Sequence, residues 1–321
     1  MKLSLSLLGT VVYGLVIRLL YGSLSSILEI MSLSFLFLVP ALIGFITIIL
    51  IPYEKIRSRS RAFFLPWYPC IGLLILTIYF EIEGTICWLM IFPIYSSLAG
   101  LGGIIAYSIK RSRKEKDQSP NKLQISLLAL LPICLGFAEG DRTSVSRECV
   151  IACELVIDAT PQEVWHQLTH IDSIKANEHH GGVTGLLGFP THQSTRLDNV
   201  AVGGSRVATF EKGLVFYEKV TQCIPEKQLA LSIKTLPDQI AADVLDEHIV
   251  IGGKHLNMLG DVYELQSMPG GKCKITLSSR FVICTPFNWY ASIWAHWLMN
   301  DVLQSELSLI AQRCAEQKKD S

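Results

Sequence analysis

The chain has 321 residues, with 28 Lys plus Arg against 28 Asp plus Glu, and half of its residues are hydrophobic. A balanced charge on a chain long enough for two domains shows no basic footprint, which argues against a nucleic-acid partner. The apolar residues are unevenly spread: residues 1–140 are overwhelmingly apolar, and 141–321 have ordinary globular composition.

Runs of roughly 17 to 25 apolar residues are what a bilayer crossing requires. Four such runs predict spans at Leu3–Tyr21, Ile30–Ile51, Phe63–Phe80 and Thr85–Ile109, and a shorter fifth runs from Leu123 to Ala138. The fifth reaches about 24 Å at the helical rise, so it needs thinning or snorkelling flanks to cross. Lys55, Arg57, Arg59 and Arg61 follow the second span, and Lys110, Arg111, Arg113, Lys114 and Lys116 follow the fourth. Loops rich in Lys and Arg collect on the cytoplasmic side, which places the amino terminus inside. Lys122 before the fifth run and Glu139 and Asp141 after it favour crossing, so 141–321 is expected outside the cytoplasmic membrane. Arg18 fits a helix-end residue whose head snorkels to the interface. Ser96, Ala99, Gly100 and Gly103 form small-xxx-small pairs, which predict close helix packing. No span carries a carboxylate or histidine at its centre, so the bundle reads as an anchor with membrane lipids around it.

After residue 140 the period changes from helical to alternating. "VSRECVIACELVID" predicts a long strand, and "DATPQEVWHQLTHIDSI" predicts a helix that starts at Pro161 under an Asp158 or Thr160 cap. A loop-rich stretch, "ANEHHGGVTGLLGFPTHQ", follows. Next come strand candidates in "GSRVATFEKG", "LVFYEKVTQCIP", "KQLALSIKTL", "DEHIVIGGK", "HLNMLGDVYELQSM" and "GKCKITLSSRFVI", with "PGGK" as a hairpin turn. A helix from about Phe287 to Glu316 closes the chain. These elements predict an α+β grip: a curved antiparallel sheet wrapped around one long carboxy-terminal helix.

The order of elements and the phrases "ATPQEVWHQLTHIDSI", "VGGSRVATFEKGLVFYEKVTQCIPEKQLALSI" and "GDVYELQSMPGGKCKITLSSRF" to "NDVLQSELSLIAQR" resemble the SRPBCC superfamily. That superfamily includes START lipid-transfer domains, polyketide cyclases and birch-pollen-type allergens. The resemblance spans about 145–316 and none of the apolar region. It implies an internal cavity for a hydrophobic small molecule such as a lipid, isoprenoid or polyketide-like compound, and it implies no shared catalytic motif.

On the last helix, at about 100° per residue, His296, Met299, Asn300, Leu303, Leu307, Ile310 and Cys314 share one side. His296, Asn300, Met299, Leu303, Leu307 and Trp289 are therefore the expected ligand-binding residues, with His296 the one candidate for acid–base chemistry. Glu211, Glu218, His248, Tyr263 and Arg280 are polar strand residues whose face depends on register, and Arg280 reads as outward. "EHH" with His192 lacks regular ligand spacing, so no metal is expected. "VGGSR" lacks the spacing of a phosphate loop, so no cofactor is expected. Six of the nine cysteines lie after residue 140 and read as small buried hydrophobes. Trp289, Tyr290, Trp294 and Trp297 crowd the start of the helix, where either core or a bilayer surface would suit them. The composite expectation is a membrane-anchored domain that carries a hydrophobic ligand. A cyclase- or dehydratase-like enzyme, or an interaction module with a filled core, is the alternative.

Overall fold

The structure is a computed structural model that describes residues 2–25, 28, 30–56, 58–115, 122–139, 144–171, 173–175, 178, 182–235 and 251–320. Two compact units emerge, one of residues 1–144 with 285–287 and the other of 145–284 with 288–321.

The first unit is helical: α1 (Lys2–Ser23), α2 (Val39–Leu50) preceded by a π turn at Ser34–Leu38, α3 (Arg59–Phe64), α4 (Trp67–Tyr79), α5 (Thr85–Glu115) and α6 (Lys122–Glu139). Among the described residues, three helices are long and apolar enough to cross a membrane: Leu3–Ser23, Arg59–Tyr79 and Thr85–Arg113. Ser34–Leu50 and Leu127–Glu139 are apolar but shorter. Small residues let backbones meet: a Cβ on Gly44 would run into the Ala99 carbonyl, and one on Gly102 into that of Ala41. Arg18 does not snorkel as expected. It is buried, paired with Glu83, and donates to the Ile82 carbonyl at 3.2 Å.

The second unit carries β1 (Val145–Ile157), α7 (Pro161–Thr169), the short α8 (Val183–Leu186), β2 (His192–Leu197), β3 (Ser205–Phe210), β4 (Val215–Ile224), β5 (Gln228–Thr235), β6 (Leu256–Met268), β7 (Lys272–Thr285) and α9 (Asn288–Asp320). The strand order is β1-β7-β6-β5-β4-β3-β2, and the ladders from β2 to β7 are antiparallel. β2 is an addition, because its polar sequence, His192 to Leu197, has no apolar alternation to announce a strand. The candidate "DEHIVIGGK" falls largely outside the described residues. α7 begins with a full capping box: Thr160 Oγ1 accepts from Glu163 N at 3.3 Å, and Thr160 N donates to Glu163 Oε2 at 2.6 Å.

The core forms where α9 lies on one face of the sheet. Leu303, Leu307, Ile310 and Cys314 of α9 pack with Leu229, Leu231 and Ile233 of β5 and Ile275, Leu277 and Phe281 of β7. This is the helix-grip arrangement. Cys149, Cys153, Cys273 and Cys314 are buried free thiols within it.

Register shifts decide what else points inward. In β6 the register shifts between Met258, opposite Phe281, and Gly260, opposite Arg280. An unbroken strand with Met258 inward would turn Gly260 and Val262 to the core. The extra residue turns Asp261, Tyr263 and Leu265 inward instead. Gly260 permits the kink, since a Cβ there would strike the Leu231 carbonyl. Further shifts lie in β4 between Val220 and Gln222 and in β2 between His192 and Ser194.

Candidate functional site

The grip interior is not uniformly apolar. Arg206 of β3 and Glu218 of β4 are direct cross-strand partners, each 3% exposed in its side chain, and Arg206 Nη1 donates to Glu218 Oε2 at 2.7 Å. The Arg206 guanidinium lies 5.9 Å from the centroid of the buried Tyr263 ring. Asp261 of β6 pairs in register with the fully buried Ser279 of β7. From the helix side comes Glu306, whose Oε2 lies 3.1 Å from His192 Nδ1, and His192 Nε2 sits 2.6 Å from Thr195 Oγ1. A carboxylate only accepts, so Nδ1 carries the hydrogen in that contact.

These groups form one electrostatic cluster. Burial disfavours the charge on Arg206, but Glu218, with Tyr263 and Glu306, more than offsets it and holds the guanidinium protonated. Burial raises the Glu218 carboxyl, and Arg206 pulls it only part of the way back. The two tendencies pull against each other. Because an arginine does not give up its proton, the pair is ionised and carries a desolvation cost. Burial likewise works against the Glu306 charge, yet His192 and Arg206 outweigh it and hold the carboxyl below its usual range. Asp261 has no such ally at bonding distance. Burial pushes its carboxyl up to about 7, with the Ser279 hydroxyl and the Arg206 charge holding the rise back and Glu218 and Glu306 adding to it. Ser279 exerts that pull without closing a well-formed hydrogen bond, because neither Ser279 Oγ nor Asp261 Oδ1 has a partner.

Four buried polar atoms of the cluster lack a hydrogen-bond partner among the described residues: Arg206 Nε, Asp261 Oδ1, Ser279 Oγ and Glu306 Oε1. Each such atom costs about 1–3 kcal/mol if left unpaired. Native interiors seldom gather several in one place, so this cluster is the candidate site among the described residues.

The residues expected from the sequence are placed differently from one another. Leu303 and Leu307 are buried against the sheet, and Met299 is half-buried beside them. His296 and Asn300 are exposed: His296 Nδ1 donates to the Ser292 carbonyl of its own helix at 2.6 Å, and Asn300 Oδ1 accepts from the Cys153 thiol at 3.1 Å. Trp289 is 58% exposed. None of these three joins the buried cluster. Of the polar strand residues, Glu218 and Tyr263 are inside, Glu211 and Arg280 are exposed, and His248 lies outside the described residues. No metal-holding group of three His, Cys, Asp or Glu side chains occurs among the described residues.

Arg206, Asp261, Ser279 and Glu306 were not picked out from the sequence. Glu306 was within reach, since it projects about 60° from Leu303 and about 40° from Ile310 on the helix. Arg206 shares the parity of the buried Ala208. Asp261 was hidden by the bulge, of which Gly260 inside a strand is the only sequence sign.

No protein-family model matches the chain, and no curated protein matches it. Among solved structures it is similar to norcoclaurine synthase from Thalictrum flavum, with 16% identity, 53% of this chain and 93% of that one covered, and a TM-score of 0.33. It is also similar to an aromatase/cyclase from Streptomyces, at 11% identity, 53% and 96% coverage and a TM-score of 0.35. A Mesorhizobium loti protein matches at 16% identity, 53% and 98% coverage and a TM-score of 0.32. At these values the likenesses assign no activity to this chain, and the description of its fold rests on its own topology.

Proposed function

We propose that the chain is a membrane-anchored domain of the SRPBCC type that binds a hydrophobic small molecule inside the grip. The observation that carries this reading is the set of unpartnered polar atoms on Arg206, Asp261, Ser279 and Glu306, enclosed by an otherwise apolar interior. An apolar wall with a few convergent polar groups is the usual make-up of a small-molecule site. Met299, Leu303 and Leu307 flank the tail of the ligand, and His296, Asn300 and Trp289 stand at the exposed end of the same helix, where it enters.

Anchoring is supported by the outward apolar face of α1, where Leu5, Leu8, Val12 and Val16 are 48–69% exposed. Large aliphatic side chains in such a row call for lipid rather than water. The fifth run has support as a crossing segment. α6 runs in the same direction as α1, with Tyr13 donating to the Ala129 carbonyl at 2.9 Å and Tyr21 to that of Pro132 at 2.6 Å. Its last residue, Glu139, accepts from the Leu33 and Ser34 backbone at 2.6 and 3.0 Å, beside the connection that contains no Lys or Arg. This reading puts the grip domain outside the cytoplasmic membrane.

Native mass spectrometry of the detergent-extracted full chain tests the binding reading. A co-purifying small molecule of discrete mass is expected, and a bare chain in repeated preparations would favour a core filled by its own side chains. One observation favours an enzymatic second reading of the cyclase or dehydratase kind: a carboxyl with a pKa of about 7 at Asp261 is suited to moving a proton at neutral pH. In that case Asp261→Asn abolishes turnover while ligand retention survives.

A further inference from the structure

The charges around the unpartnered atoms restrict what the ligand can be, given the binding reading above. Arg206 is already matched by Glu218 at 2.7 Å, so its charge is not free to serve an incoming anion. Glu306 and Asp261 add carboxyls on the opposite side of the count; Arg313 also acts on Glu306 but is matched by Glu178 at 2.7 Å, which leaves His192 as the further group that can add positive charge among the described residues. In the least negative state, with His192 protonated and Asp261 neutral, Arg206 and His192 just balance Glu218 and Glu306. Every other state is net negative. A carboxylate or phosphate head would therefore enter a buried site that never offers it a surplus of positive charge, and desolvating it there has no compensation.

The unpartnered atoms themselves narrow the choice further. Arg206 Nε can only donate, the carboxylate oxygens Asp261 Oδ1 and Glu306 Oε1 accept when ionised, and Ser279 Oγ does either. An ammonium head could satisfy the acceptors but would leave Arg206 Nε unmet. A hydroxyl gives one hydrogen and takes another, which serves both kinds at once. Arg206 and Ser279 are 3% and 0% exposed, so water at the surface does not compete for them.

We propose that the grip interior selects an apolar molecule whose polar end is a hydroxyl, an alcohol or a phenol, and rejects fatty-acid and phosphate heads.

The test uses the full chain in lipid nanodiscs at pH 8, offered dodecanol, heptylphenol or dodecanoate at equal free concentration, with empty nanodiscs subtracting partition. Retention of dodecanol or heptylphenol is expected to exceed that of dodecanoate by roughly tenfold or more, the scale on which an uncompensated buried charge acts. Dodecanol ahead of heptylphenol identifies a lipid alcohol, and the reverse order an aromatic phenol; both support the proposal. In Asp261→Asn with Glu306→Gln the preference should shrink, because two carboxyls that repel the anion are gone. Dodecanoate retained as well as the hydroxyl probes by the wild-type chain overturns the proposal and leaves the binding reading standing. Retention of no probe overturns both. Because the wild-type ranking needs no variant, a double variant that fails to fold does not remove the test.

Discussion

At the residue scale Asp261 is the most consequential side chain of the interior. Its carboxyl rises from an ordinary 3.8 to about 7 because burial penalises the ionised form. The sign of the pH effect follows. Between about pH 4 and pH 7 the folded chain holds a proton that the unfolded chain has released, so Asp261 makes stability fall as pH rises through that window and level off above it. Asp261→Asn removes the penalty. The variant should gain thermal stability over the wild type at pH 8 by on the order of 1–3 kcal/mol and gain little at pH 4. Melting both proteins in the same detergent at the two pH values checks this, and a difference independent of pH would show that the carboxyl is not titrating in the folded state. The neighbouring Arg206–Glu218 pair obeys a different logic: removing one partner leaves a buried charge alone, which costs about 3–5 kcal/mol.

At the scale of elements, the bulge in β6 links backbone geometry to the site. Gly260 sits where a side chain would strike the Leu231 carbonyl, and the register shift beside it is what aims Asp261 and Tyr263 at the helix. Gly260→Ala should therefore destabilise the chain by roughly 1–3 kcal/mol and lower ligand retention. Gly185→Ala, with nothing within 4 Å of the added carbon, serves as the near-neutral comparison. Equal melting temperatures for the two variants would remove the bulge from the account. The same element shows what a sequence reveals and what it hides. β1, α7, β3 to β7 and α9 were readable, because alternation, a cap and helical period are local properties. The polar cluster was harder to see, since a bulge flips the face of every residue after it without altering local composition. α9 adds a second lesson. Helical angle alone aligned His296 and Asn300 with Leu303, yet both are exposed while Ser292 before them and Leu303 after them are buried on that side, so an angle does not say which stretch of the axis is covered. Glu306 reversed the error: its charge argued for water, and the projection argued correctly for the core.

For the whole molecule, the proposed anchoring raises the question of the side of the membrane on which the grip lies. The basic residues after α2 and at the end of α5 set an inside face by composition, whereas α6 sets the side of everything that follows. α6 is short, with Leu127–Glu139 as its apolar part, but Glu139 at its end is taken up by the Leu33 and Ser34 backbone and hydroxyl groups. A carboxylate bound there is no longer a bare charge facing hydrocarbon, which eases the crossing of a short helix. The expected outcome is a grip domain outside the cytoplasmic membrane. Ser112→Cys on the basic segment and Lys272→Cys on the β6–β7 hairpin, both at exposed positions, report the two sides. In intact cells an impermeant maleimide should label Lys272→Cys above the background of the native thiols, and should reach Ser112→Cys only after permeabilisation. The opposite pattern would put α6 in the interface and the grip in the cytoplasm. Glu139→Lys then separates cause from coincidence: if the Glu139 contact holds α6 across, the variant should lose labelling at Lys272→Cys while the helices α1 to α5 keep theirs.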